Sequence, residues 1–252
     1  MSADPPTRRY RIDVAYDGTA YAGWQIQPNG ITVQAVLEET LARLSGGDRP
    51  KVHGSGRTDQ GVHARRQVAH TDLRGGMAPA ALVRAVNALL PADIRVVKAA
   101  FVDPAFHARR DAAAKEYRYF IWNGPVVPPF VRRYRTHIRT PLDVEAMRRA
   151  AARLRGRHDF AAFTANPNRK VESTVRSLTA LEVRRHGREV TIVARGEGFL
   201  YKMVRSLAGW LIRVGEGAVP ASQTGEVLAS RRRTARVPTA PPEGLFLWQV
   251  EY

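Results

Sequence analysis

The 252-residue chain is 44% hydrophobic and carries 40 Lys+Arg against 23 Asp+Glu, a formal net charge of +17 with a pI near 11.1. That apolar fraction suffices for a substantial core, and the positive excess points to a polyanionic partner, nucleic acid first, rather than a small neutral ligand. The lack of cysteine excludes disulfides, thiolate nucleophiles and cysteine-ligated zinc or iron–sulfur sites.

The basic residues are 35 arginines and five lysines, a bias that genome composition produces by itself, so charge alone does not decide for RNA or DNA. No apolar run of about 18 residues and no basic amphipathic helix near a terminus suggests a membrane. Residues 1–10 have two arginines but no apolar stretch after them, unlike a secretory signal, so a cytoplasmic location is expected.

Tyr10, Ile12, Val14 and Tyr16 alternate with Arg11, Asp13 and Ala15, the period of a strand with one buried and one wet face, ended by Asp17-Gly18. From Thr32, Val33, Val36, Leu37, Leu41 and Leu44 keep to one helical stripe, which Gly46-Gly47 stops. Leu82, Ala85, Val86 and Leu89 form a second stripe, stopped before Pro91. Residues 94–101 read as a buried strand. These elements place an N-terminal α+β half in residues 1–110.

A C-terminal half, 111–252, opens on a strand in which Tyr117, Tyr119 and Ile121 alternate with Arg118 and Phe120. A helix carrying Met147, Ala150, Ala151 and Leu154 precedes two strand-like runs, 175–185 and 189–195, joined across His186-Gly187 as a hairpin. Met203, Val204, Leu207, Leu211 and Ile212 make another helical stripe. Phe246, Trp248, Val250 and Tyr252, alternating with Leu247 and Gln249, close the chain as a strand. The expected class is α+β, helices laid over mostly antiparallel sheet. Arg231-Arg232-Arg233, near Arg236 and the proline-rich stretch 238–242, reads as an exposed basic connection that suits a solvated loop as well as RNA contact.

The most unusual segment is 53–64, where Gly54, Gly56 and Gly61 bracket Arg57, Thr58 and Asp59 in a loop after a short strand. Glycines permit tight turns and close approach to a ligand. No Lys-Ser or Lys-Thr follows them and their spacing is not that of a dinucleotide fingerprint, so a nucleoside triphosphate is not indicated. Taken alone, an aspartate between glycines caps a turn more often than it catalyses.

Gly56-Arg57-Thr58-Asp59-Gln60-Gly61-Val62-His63-Ala64 closely resembles the signature of the tRNA pseudouridine synthase A family, in which the aspartate is the nucleophile. Further segments match in the same order: Tyr16-Asp17-Gly18 with 21–25; Phe106-His107-Ala108-Arg109 followed by Tyr117-Arg118-Tyr119; Phe199-Leu200-Tyr201-Lys202-Met203-Val204-Arg205; and Pro241-Pro242-Glu243-Gly244-Leu245. The resemblance therefore spans nearly the whole chain. Gln60 departs from the alanine common in the family, and Arg110-Asp111 replaces an aromatic residue that often follows the arginine.

The resemblance implies two ferredoxin-like halves sharing an extended, mostly antiparallel sheet, with RNA in the basic cleft between them and a homodimer as the working unit. It implies isomerisation of uridine to pseudouridine in the anticodon stem-loop of tRNA, at positions 38 to 40, with no cofactor and no metal. Asp59 would act at the ribose, adding to the anomeric carbon or taking a proton in a glycal-type elimination. Arg205 would lie against Asp59 and favour its charged form. Tyr117 would stack on the uracil and offer its hydroxyl for proton transfer, Leu245 would close the uracil pocket, and Arg57 would hold the flipped-out nucleotide by its phosphate. By residue type alone, Tyr117 and Leu245 are core residues and Arg205 a surface phosphate contact.

Two rival classes fit parts of the pattern. A non-catalytic RNA-binding module would use the same sheet, arginines and aromatics. A metal-dependent hydrolase would draw on His53, Asp59, His63 and His70, or on His158-Asp159, although neither group has a recognised ligand spacing.

Overall fold

The computed structural model describes residues 6–46, 49–165 and 171–252; Gly47, half of the expected glycine stop, lies outside them, as does the start of the chain before Pro6. The chain divides into two compact units, one running through Ala113 and taking in Leu247–Tyr252, the other Ala114–Phe246. Each combines helices with mostly antiparallel sheet, the α+β class expected.

The first unit runs β1 (Thr7–Tyr16), α1 (Val33–Leu44), β2 (His53–Gly54), β3 (His63–Arg74), α2 (Pro79–Leu89) and β4 (Ile94–Phe101). β1 lies between β3 and β4, antiparallel to both, and the residues from Leu247 onward run on the far side of β3. α1 starts where predicted because Thr32, in extended backbone, accepts a hydrogen bond from Ala35 N (3.3 Å) and so satisfies one of the open amides of the first turn. Val33, Leu37 and Leu41 are buried along one stripe, and α1 packs beside α2, which buries Leu82 and Val86.

Two expectations for this sheet need correction. β4 is not a buried strand: Ile94 and Val96 are covered, but Val97 is 53% exposed and Phe101 is exposed too, because β4 is the edge strand of its unit. The second face of β1 is not wet at its centre either, since Asp13 is only 1% exposed. Its Oδ1 accepts from Arg11 Nε (3.1 Å) and its Oδ2 from Arg66 Nε (2.8 Å). Two guanidinium groups thus replace the water that the alternation implied. Asp13→Ala should lower stability by about 1–3 kcal/mol in urea denaturation, because it leaves part-buried Arg11 and the more exposed Arg66 without their shared counter-charge.

The second unit runs β5 (Ala114–Asn123), β6 (Thr136–Ile138), α3 (Val144–Ala152), β7 (Gly156–Asp159), β8 (Val175–His186), β9 (Glu189–Gly196), α4 (Met203–Gly215), α5 (Thr224–Ser230) and the start of β10 (Leu245–Glu251). Its sheet has the order β5-β9-β8-β7, all neighbours antiparallel, with β6 parallel to β5. The predicted hairpin is β8–β9: His186 pairs with Glu189 around a two-residue loop in which Gly187 takes φ +57°, as a tight primed turn requires. α3 packs on α4 and β8, and Trp210 of α4, fully buried, donates Nε1–H to Thr224 Oγ1 (3.0 Å) at the start of α5. Leu154 is buried as expected but lies beyond the end of α3.

Candidate active site

The loop carrying Asp59 is built by hydrogen bonds on both sides. The chain leaves β2 still paired, Ser55 N donating to Val68 O (2.8 Å), while Ser55 Oγ donates to Gln67 Oε1 (2.6 Å) and Gln67 Nε2 to Gly56 O (2.8 Å). Thr58 is buried, its Oγ1 2.8 Å from the Tyr16 hydroxyl and its carbonyl accepting from Trp24 N (3.1 Å). Burial holds the Tyr16 phenol protonated far above its ordinary range. Val62 N then donates to Asp59 O (3.1 Å), closing a turn in which Gly61 adopts φ +76°, a region open to glycine without strain. The result is a fixed backbone from which Arg57 projects exposed and Asp59 half-buried.

The segment 16–25 is what braces this loop, a role that motif matching alone did not assign. A register shift in β1 sets Tyr16 opposite Ala64, immediately after the loop. A Cβ on Gly18 would lie 2.0 Å from Val62 O; on Gly23, whose φ is +99°, 2.6 Å from Thr58 O; and on Gly54, 2.5 Å from the Trp24 ring. At Gly18 and Gly23 the two backbones therefore touch where only a hydrogen fits, and at Gly54 the backbone meets the Trp24 side chain. A polar network on α1 fixes the base of the arrangement: Gln34 Oε1 accepts from Ile26 N (3.0 Å), Gln34 Nε2 donates to Val52 O (3.0 Å), and Glu38 accepts from Val52 N (3.0 Å). No local signal marked this role, because each contact depends on which residues the strand register sets face to face.

Tyr117, Arg205 and Leu245 belong to the second unit, and Arg205 is bonded to the segment that leads into Leu245. Tyr117 on β5 is buried edge-on against Phe199, ring centroids 5.1 Å apart, and shares its strand face with Tyr119 two residues on. Tyr119 bonds Thr136 Oγ1 (2.6 Å) and donates to Pro241 O (2.9 Å). Arg205, on α4, donates Nε–H to Ala240 O (2.8 Å), and Ala240 N returns a bond to Arg205 O (3.0 Å). Gly244 sits where a Cβ would strike Phe120 O at 2.7 Å, which delivers the buried Leu245 at the start of β10. Arg57 and Asp59 share one loop of the first unit.

The remaining candidates have structural partners. His63 is buried with Nδ1 accepting from Gly18 N (3.0 Å), so it helps hold the loop. His158 Nε2 bonds Arg155 O, and Asp159 takes Ala161 N, Thr174 Oγ1 and the guanidinium of Arg231. Among the described residues no three His, Asp or Glu side chains are grouped to hold a metal ion. In the basic connection Arg231, Arg232 and Arg236 are exposed as expected, but Arg233 turns inward to Ser206 Oγ (2.6 Å) and Thr239 Oγ1 (2.8 Å). Of the departures from the family pattern, Gln60 is exposed, whereas Asp111 accepts from His107 N (2.8 Å) and closes a local turn. No helix among the described residues is long and apolar enough to cross a membrane.

His70 stacks on His53 (4.9 Å between centroids) and lies 4.7 Å from His107. Burial first, then these neighbouring imidazoles, lower its pKa from 6.5 to about 4. The folded state therefore resists a proton that the unfolded chain accepts. Stability from this group is complete above about pH 6.5 and is lost as the pH falls towards 4, by on the order of 1–3 kcal/mol. Urea denaturation at pH 7 and pH 4.5 should show this fall, and His70→Asn should shrink it.

A family model described as tRNA pseudouridine synthase matches residues 13–110 and 150–252. The tRNA pseudouridine synthase A of Shouchella clausii (strain KSM-K16) is 46% identical over 244 residues, covering 97% of this chain and 93% of that protein. Those of Brevibacillus brevis (44% over 245 residues; 97% and 100%) and Syntrophotalea carbinolica (46% over 242 residues; 96% and 95%) are similar over the same span.

Proposed function

This chain belongs to the tRNA pseudouridine synthase family, and from that membership together with the braced Asp59 loop we propose that it isomerises uridine to pseudouridine in the anticodon stem-loop of tRNA, at positions 38 to 40. As a member of this family it is an isomerase. The working form is a homodimer acting in the cytoplasm without cofactor or metal.

The reaction breaks the bond between ribose C1′ and uracil N1, turns the base, and joins C1′ to C5. The C5 proton leaves to solvent and N1 gains one, so atoms and electrons balance. The base must first leave its stack. Asp59 acts at the ribose as an ionised carboxylate, by addition at C1′ or by proton abstraction. Arg205 supports that charge, Tyr117 stacks on the uracil and handles its proton, Leu245 excludes water from the base, and Arg57 holds the phosphate of the extruded nucleotide.

The observation that supports this reading most is the loop itself: it is pinned by Tyr16, Trp24 and Gln67, with Arg57 exposed and Asp59 half-buried at its turn. A carboxylate that merely capped a turn would not call for three close glycine contacts around it. tRNA tritiated at uracil C5 tests the proposal, because pseudouridine formation releases one tritium to water per turnover. Release that saturates with tRNA is the expected result; binding without release would mark a non-catalytic RNA module.

A further inference from the structure

The first unit holds a pocket of about 190 Å³ that the proposed reaction does not use, lined by Arg9, Lys51, His53, His70, Thr71 and Asp72. Strand register creates it: His53 of β2 stands opposite His70 of β3, and Arg9 of β1 opposite Asp72. The one carboxylate in the wall is already neutralised, Oδ1 accepting from Arg9 Nε (2.8 Å) and Oδ2 from Arg9 Nη2 (2.7 Å).

What remains in the wall is mostly donor capacity. Lys51 and His53 are exposed at the rim. His70 is 3% exposed; its Nδ1 accepts from Ala108 N (3.1 Å), which fixes the tautomer that carries a proton on Nε2. Among the described residues nothing accepts from that Nε2–H. A buried donor in a pocket with a lysine beside it is matched by an anion with several acceptor oxygens.

We propose that this pocket binds a phosphate group, held by Lys51, His53 and the Nε2–H of His70, with the Arg9–Asp72 pair as its rigid wall. The phosphate is either one of the RNA backbone or a free one. The first source rests on RNA being the substrate. His53, which stands opposite His70, lies six residues before Asp59, a reach of at most roughly 20 Å, so the pocket would grip RNA within a few nucleotides of the uridine at Asp59.

The full-length Lys51→Gln/His53→Gln double variant tests this, with folding checked by circular dichroism. Filter binding of tRNA over a salt series should show affinity about 3- to 10-fold weaker and a salt slope reduced by about one, with KM raised and kcat kept. In parallel, inorganic phosphate titrated into wild-type protein should shift the His70 imidazole resonances and fail to do so in the double variant. Phosphate-dependent shifts with unchanged tRNA affinity would assign the pocket to free phosphate. Unchanged affinity, unchanged slope and no phosphate shift would overturn the proposal while leaving the isomerase reading intact. Lys51-dependent tRNA binding by a wild-type protein that releases no tritium would overturn the isomerase reading and not the pocket.

Discussion

Asp59→Asn should bind tRNA within a few-fold of wild type and form no detectable pseudouridine, a loss of at least about 10⁴-fold in turnover. The substitution is close to isosteric, and the loop hangs on Thr58, Gly56 and the Asp59 carbonyl, none of which it alters. Affinity for a polyanion comes from the arginines and lysines distributed over a chain of net charge +17, so removing one negative charge does not weaken it. Chemistry at C1′, in contrast, needs either a nucleophilic oxygen or a base, and an amide is neither. Tritium release and gel-shift titration on the same preparation separate the two effects.

Gly23→Ala should cost product formation on the order of 100-fold or more although Gly23 supplies no functional group. The new methyl would stand 2.6 Å from Thr58 O and 3.1 Å from the Asp59 carbonyl carbon, at φ +99°, where L side chains are strained. Backbone cannot yield as a side-chain tip can, so the loop itself must move, and an ångström of misplacement is expensive in catalysis. Gly46→Ala is the control: its φ is +77° but nothing lies within 4 Å of the added atom. That variant should lose about 1 kcal/mol of stability and keep full turnover. Equal kinetics for the two variants would show that the contact between segment 16–25 and the Asp59 loop does not position the carboxylate.

Where one side chain settles a local structure, the sequence was readable. Thr32 announced α1, Gly187 the β8–β9 hairpin, and the apolar stripe from Met203 the buried face of α4. The strand β3 went unread because its pattern is neither alternating nor apolar: Gln67, His70 and Thr71 are all buried in it, each a polar residue that periodicity assigns to solvent. α5 escaped for a similar reason, as only Thr224 and Val227 of its seven residues are buried. Burial of Asp13 depended on Arg66, 53 residues away, which no local window contains.

The site divides in the same way. Asp59 and Arg57 became candidates because nine consecutive residues resemble the family signature; glycines around them, taken alone, suggested a turn more readily than a catalyst. The brace could not be named this way, because Gly18, Gly23 and Trp24 matter only through what faces them, and that is a property of register. Arg233 illustrates the opposite error: a run of three arginines reads as a solvated patch, yet the middle of the basic connection is anchored through Arg233 to Ser206 and Thr239.

The most direct trial of Asp59 as the residue that makes pseudouridine is a map of pseudouridines in tRNA from cells deleted for this gene and then supplied with wild-type or Asp59→Asn protein at equal abundance. Pseudouridine at positions 38 to 40 should vanish on deletion, return with the wild-type chain and stay absent with the variant. Its return with Asp59→Asn would contradict the assignment of the chemistry to this carboxylate.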